Sequence, residues 1–226
     1  MRTSMKSIYK LLTLDYYVLK ALFGFVAAAI LVATVIGCVT QPSMLIMVIL
    51  TFTAFLLSVL FSVAEKSNFN KLYGTLPIIK REIVIGRYLF ATLTISLLSI
   101  IAFILFCISS IVLRANIDWF SGAAYWVGAF IITTFFISIQ FPIYFKFEYS
   151  KAMFISILPY ILFFAVGFPV FGQLMKQNAF SNTVMNVIAY FQSHIYLMIL
   201  LGIGVGLILL TLSCLISLAL TKKKHI

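Results

Sequence analysis

The densest group of charged side chains in this sequence lies in the stretch EKSNFNKLYGTLPIIKREIVIGR, between two long apolar runs. It holds Glu65, Lys66, Lys71, Lys80, Arg81, Glu82 and Arg87, with Gly74 and Pro77 breaking its middle. The chemistry such a mixture offers is recognition of a partner at a water-exposed surface. Catalytic constellations are missing elsewhere. There is no serine elbow of the GxSxG kind and no HExxH pair of metal ligands. His194 and His225 are too isolated to form a metal site and read as boundary residues. Cys38, Cys107 and Cys214 lie inside apolar runs with no CxxC spacing, so they read as packing residues. No GxxxxGK[ST] loop is present, so any ATP chemistry belongs to another polypeptide. The sequence therefore predicts no enzyme, no metal and no cofactor in this chain.

The elements around that stretch are set by composition. With 64% hydrophobic residues, 9% charged and a mean hydropathy of +1.19, the chain is incompatible with a water-soluble fold, since soluble domains carry roughly a quarter charged residues. The apolar runs are long and unbroken, which predicts transmembrane helices; transmembrane strands would alternate over about ten residues. The net charge of +11 does not point to nucleic acid. Its basic residues flank apolar runs without forming a basic face, as topology determinants do.

Six spans are expected, at about 20–39, 43–64, 88–113, 119–144, 152–175 and 195–220. Pro42 divides the uncharged run 21–64, which is too long for one helix of about 20 residues. The basic N-terminus followed by Val35-Ile36-Gly37-Cys38 loosely resembles a lipoprotein signal, but the apolar run is long for that and is read as a retained first span. With both termini inside, every one of the 16 Lys and Arg residues except Arg114 and Lys176 falls on the cytoplasmic side. The expected fold is thus an all-α polytopic membrane domain over 1–226, in the cytoplasmic membrane, with the charged stretch facing the cytoplasm. No Asp, Glu, Lys, Arg or His stands at the centre of a span, which argues against an ion-coupled transporter, a proton relay or a charged ion filter.

Locally, Glu65–Tyr73 can extend span two, Gly74 suits the residue that ends it, and Pro77 can restart a helix. From Pro77 the pattern is short, amphipathic and leads into span three; these residues alone also fit a helix lying on anionic lipid. The order Glu65-Lys66, polar spacer, Leu76-Pro77, Lys80-Arg81, Ile83-Val84, Arg87-Tyr88 resembles the small bacterial permeases of the ABC type 2 exporter family, which carry a similar "LP…(K/R)…IV…(R/K)Y" stretch. Six spans with both termini inside also match, so the likeness covers essentially the whole chain. Members include exporters of amphipathic staphylococcal peptides (phenol-soluble modulins) and bacteriocin-immunity permeases. The resemblance implies that Asn70, Lys71, Tyr73, Leu76, Pro77, Lys80, Arg81, Glu82 and Arg87 lie at or beside a coupling helix receiving the stroke of a separate cytoplasmic ATPase. It further implies a second cytoplasmic contact at Lys146, Glu148 and Lys151, a second permease subunit, and ATP with Mg held by the partner.

Other features agree with that picture. Tyr9, Leu11, Leu12, Leu14, Tyr16 and Tyr17 among Lys6, Lys10 and Lys20 suggest an amphipathic N-terminal helix on the inner leaflet. Ala29, Ala33 and Gly37, and separately Gly202 and Gly206, are spaced for close helix approach, either within one subunit or at a dimer seam. Span five carries Pro159, Gly167, Pro169 and Gly172, a pattern of bends or cavity lining. Val184, Met185, Ile188 and Phe191 give the outer 177–194 segment helical spacing. The leading expectation is the membrane half of an ATP-driven exporter of hydrophobic or amphipathic cargo. The competing ones are a non-catalytic scaffold or immunity factor and the substrate-capture subunit of an importer.

Overall fold

A computed structural model describes residues 12–13, 15–17, 20, 23–39, 41–66, 80–113, 117–147 and 149–223, and every element among them is helical. They are α1 (Phe23–Val39), α2 (Pro42–Lys66), α3 (Lys80–Val112), α4 (Trp119–Lys146), α5 (Tyr149–Leu162), a π-helical turn (Phe163–Gly167), α6 (Phe168–Leu174), α7 (Asn178–Ser193) and α8 (Ile195–Lys223).

Five stretches are long and apolar enough to cross a membrane: they lie in α2, α3, α4, α5 through α6, and α8. The expected first span coincides with α1, whose 17 residues reach about 26 Å at 1.5 Å per residue, somewhat less than the roughly 30 Å hydrocarbon layer. Pro42 opens α2 in the first turn, where its missing N–H is harmless. Asp118 caps α4. Its Oδ1 accepts the N–H groups of Phe120 (3.1 Å) and Ser121 (3.2 Å), and its Oδ2 accepts the Ser121 hydroxyl (2.7 Å).

From Lys80, the charged leader of span three is continuous with the helix that carries the span. Lys80 to Val112 is one helix of 33 residues, about 50 Å long. Charges exclude Lys80–Arg87 from hydrocarbon without ending the helix, because its backbone bonds persist outside lipid. Span five is interrupted where its prolines and glycines predict a bend: the ladder widens to π geometry at Phe163–Gly167, between Pro159 and Pro169. The 177–194 segment is largely the helix α7.

The core centres on α4, which packs on α8, α2 and α5. Phe136, Ile137 and Phe141 of α4 are fully enclosed with Leu45, Ile46, Leu50 and Leu57 of α2. Lipid supplies no hydrophobic drive between helices, so close packing and polar cross-links hold them together. Gly202 and Gly206 let α8 lie against Val127 and Phe130. The Thr133 hydroxyl donates to the Leu50 carbonyl (2.8 Å), joining α4 to α2. The Ser213 hydroxyl donates to the Ser138 carbonyl (2.7 Å), which leaves Tyr88 to donate to Ser213 (2.6 Å) and accept from Ser217 (2.9 Å), joining α3, α4 and α8. On the opposite face of α3, Leu89, Leu93, Leu97, Ile100, Ile104, Ile108 and Ile111 are exposed at helical spacing, a stripe suited to lipid.

Candidate functional site

The charged ends of α2, α3 and α4 meet on one ring. Phe61, near the end of α2, stacks on Tyr144 (centroids 4.8 Å apart) and meets Phe141 and Phe145 edge-on at 5.1 and 5.4 Å. The Arg87 guanidinium lies over the same ring, 4.2 Å from its centroid. Tyr88 meets Phe141 at 5.0 Å. Arg87 is only 6% exposed, and a desolvated cation over an aromatic face is held by up to about 2 kcal/mol. Any force on the start of α3 therefore reaches α2 and α4 through a packed aromatic joint.

A buried carboxylate belongs to this joint. Asp15, on the N-terminal segment, is buried and feels the Arg87 charge. Burial pushes its carboxyl above the ordinary carboxylate value, and the attraction of Arg87 only partly opposes that.

The residues expected to contact an ATPase divide into three sets. Asn70, Lys71, Tyr73, Leu76, Pro77 and Glu148 lie outside the described residues. Lys80 opens α3, Arg81 is exposed beside it, and Lys146 and Lys151 are exposed around the α4–α5 turn, with the Lys146 ammonium 5.2 Å from the Phe147 ring centroid. Glu82 (3% exposed) and Arg87 instead point into the bundle. The two basic patches are thus linked through Phe61: Arg87 covers it from α3, and Tyr144 stacks on it one half-turn before Lys146. The small-residue candidates pack within the chain: Ala33 is buried in the core, a Cβ on Gly37 would stand 2.8 Å from Leu45 Cβ, and Gly202 and Gly206 face α4. For Ala29 only the helical backbone is described.

Sequence reasoning missed a polar strip inside the membrane region. Gln140 Nε2 donates to the Tyr160 hydroxyl (3.1 Å), and Tyr144 and Ser156 share a hydrogen bond of 2.8 Å one turn away. The signal was present: Gln140 and Tyr144, and Ser156 and Tyr160, are each four residues apart on successive antiparallel helices. A search for charges in the spans passes over neutral amides. A separate apolar cavity of about 310 Å³ opens between α1, α2 and α3, lined by Val26, Ile30, Val48, Phe52 and Leu98 among others. Among the described residues no group of His, Cys, Asp or Glu could hold a metal ion.

A bundle of several long apolar helices with charged helix ends is that of a multi-pass membrane protein. The chain belongs to the ABC-2 family of transporter proteins, which it matches over residues 10–222. No curated protein and no solved structure matches it. It is accordingly a membrane component of a transport system.

Proposed function

We propose that this chain is the permease subunit of an ATP-driven exporter in the bacterial cytoplasmic membrane. It works as a dimer with two separate ATPase subunits and moves a hydrophobic or amphipathic molecule outward. The observation that carries the reading is the family match over nearly the whole chain. The absence of a phosphate-binding loop and of span-centre charges supports an external energy source. In this reading α1 completes six spans, both termini are cytoplasmic, and the segment from Leu76 to Arg87 receives the ATPase stroke. Arg81 offers the exposed contact surface, while Arg87 and Phe61 pass the displacement to α2 and α4.

The test is ATPase activity and retention of the ATPase in the co-purified complex, with Pro77, Lys80 and Arg81 intact or changed to Ala. Loss of binding, or ATP hydrolysis that no longer responds to the permease, is expected. A triple variant that binds and couples like the parent removes the docking assignment.

A further inference from the structure

The α4–α5 strip contains a hydrogen-bond acceptor with nothing to accept. Gln140 is 3% exposed, and its Oε1 has no partner among the described residues. An unpaired amide oxygen in a water-free interior is unfavourable, and native proteins retain such groups rarely. Its surroundings favour access over permanent enclosure. Within 151–174 the described buried side chains are Ala152 and Ser156, with Pro159, Tyr160, Phe163 and Leu174 half-buried. Most of its other described side chains are exposed, so this helix packs chiefly on α4, with a smaller contact to α2. Tyr160 stacks on Phe136 at 3.8 Å and Phe163 meets the same ring edge-on at 5.7 Å. Three residues beyond Tyr160 the helix changes to the π turn at Phe163–Gly167, a break of the kind that often marks functional segments.

We infer that Gln140 and Tyr160 form a binding site for a neutral hydrogen-bond donor, an amide N–H or a hydroxyl, carried by an otherwise apolar molecule that enters as α5 parts from α4. The inference rests on the exporter reading for the molecule's role, and it names the chemistry that reading leaves open. Gln140 Oε1 receives the donor; the Tyr160 ring, braced on Phe136, holds the Gln140 amide in place through its Nε2. A neutral pair suits cargo that crosses hydrocarbon without a charge.

The experiment measures competition with a fluorescent fatty-acid probe in phosphatidylglycerol nanodiscs holding the complete complex without nucleotide, corrected for partition into empty discs. Three matched amphiphiles are compared: N-dodecylacetamide, 1-dodecanol and dodecyl acetate, the last lacking a donor. The parent complex should bind at least one of the two donors about tenfold more tightly than the acetate, the worth of one hydrogen bond. Preference for the amide assigns a peptide-like source, and preference for the alcohol a lipid-like one. Gln140→Leu should erase the preference, and Tyr160→Phe, which keeps the stacked ring, should weaken it if the leucine variant fails to fold. Equal affinities, preference for the acetate, or a preference that survives both substitutions overturns the inference. Failure of the exporter reading would appear separately, as a triple variant that binds and couples the ATPase like the parent while the donor preference stays intact.

Discussion

Gly202 and Gly206 offer a quantitative test of how this bundle is built, because Gly204 on the same helix is a ready control. A methyl group on Gly202 would stand 2.6 Å from Val127 Cγ1, and one on Gly206 would intrude on the Phe130 ring. Neither neighbour yields easily. Val127 is β-branched and strongly restricted in a helix, and Phe130 stacks on Trp126 at 5.5 Å. A methyl on Gly204 meets nothing within 4 Å. Replacing Gly by Ala gains up to about 1 kcal/mol of helix preference at any of the three sites. Overpacking costs about 1–3 kcal/mol where the neighbour is fixed, and displacing a stacked ring costs about 0.5–1.5 kcal/mol more. Gly204→Ala should therefore be neutral or slightly stabilising, and Gly206→Ala should lose about 1–3 kcal/mol, with Gly202→Ala between them. The assay is reversible unfolding of the purified subunit in mixed micelles, alongside inter-subunit cross-linking. Equal effects at 204 and 206 would refute the packing argument. Loss of cross-linking in Gly206→Ala with unchanged unfolding would assign the glycines to a subunit seam instead.

Asp118→Ala should destabilise the subunit by about 1 kcal/mol through loss of the α4 cap. The hydrogen bonds from Ser121 hold the Asp118 carboxyl below its ordinary value of 3.8, so the cap's contribution is complete above that pH and is lost as pH falls through the lowered folded value; acid-titrated unfolding of Asp118→Asn should be flatter than the parent's there. Arg87→Met should be strongly destabilising, because it leaves Asp15 and its charge buried without a counter-ion, whereas Asp15→Asn should be neutral or favourable since burial already outweighs the Arg87 attraction. The double variant should regain part of the loss, with a coupling of about 0.5–3 kcal/mol in a thermodynamic cycle; strictly additive effects would sever Asp15 from the joint.

The helices that sequence reading placed well are those whose ends carry a local chemical signal. Pro42 starts α2, Asp118 caps α4, and the basic residues near 146 and 222 close α4 and α8. Where the signal was charge alone, it bounds the span and not the helix, because charge limits depth in the membrane and leaves helix length free. That is why α3 runs back to Lys80. The break in span five was legible from Pro159, Gly167 and Pro169, but proline spacing does not specify a π turn over a simple kink. The outer helix α7 followed from its periodicity.

The site divides along the same line. A cytoplasmic charged stretch can be found from composition, but not which of its charges turn inward. Arg81 and Arg87 look alike in sequence. They are six residues apart, so on a helix with 3.6 residues per turn they point about 120° apart, onto different faces. One side of α3 meets the aromatic ends of α2 and α4, and the other meets water. Arg87 takes the inner side because Phe61 supplies a ring there and Asp15 a carboxylate. None of these three residues predicts the others, being 26 and 72 positions apart from Arg87 in the chain. A basic residue beside a span is therefore ambiguous between a partner contact and an internal tie, and only the helix face decides. In the proposed exporter reading that choice assigns contact to Arg81 and transmission to Arg87, so substitutions at the two should fail differently: the first by losing the ATPase, the second by loosening the bundle that the ATPase has to move.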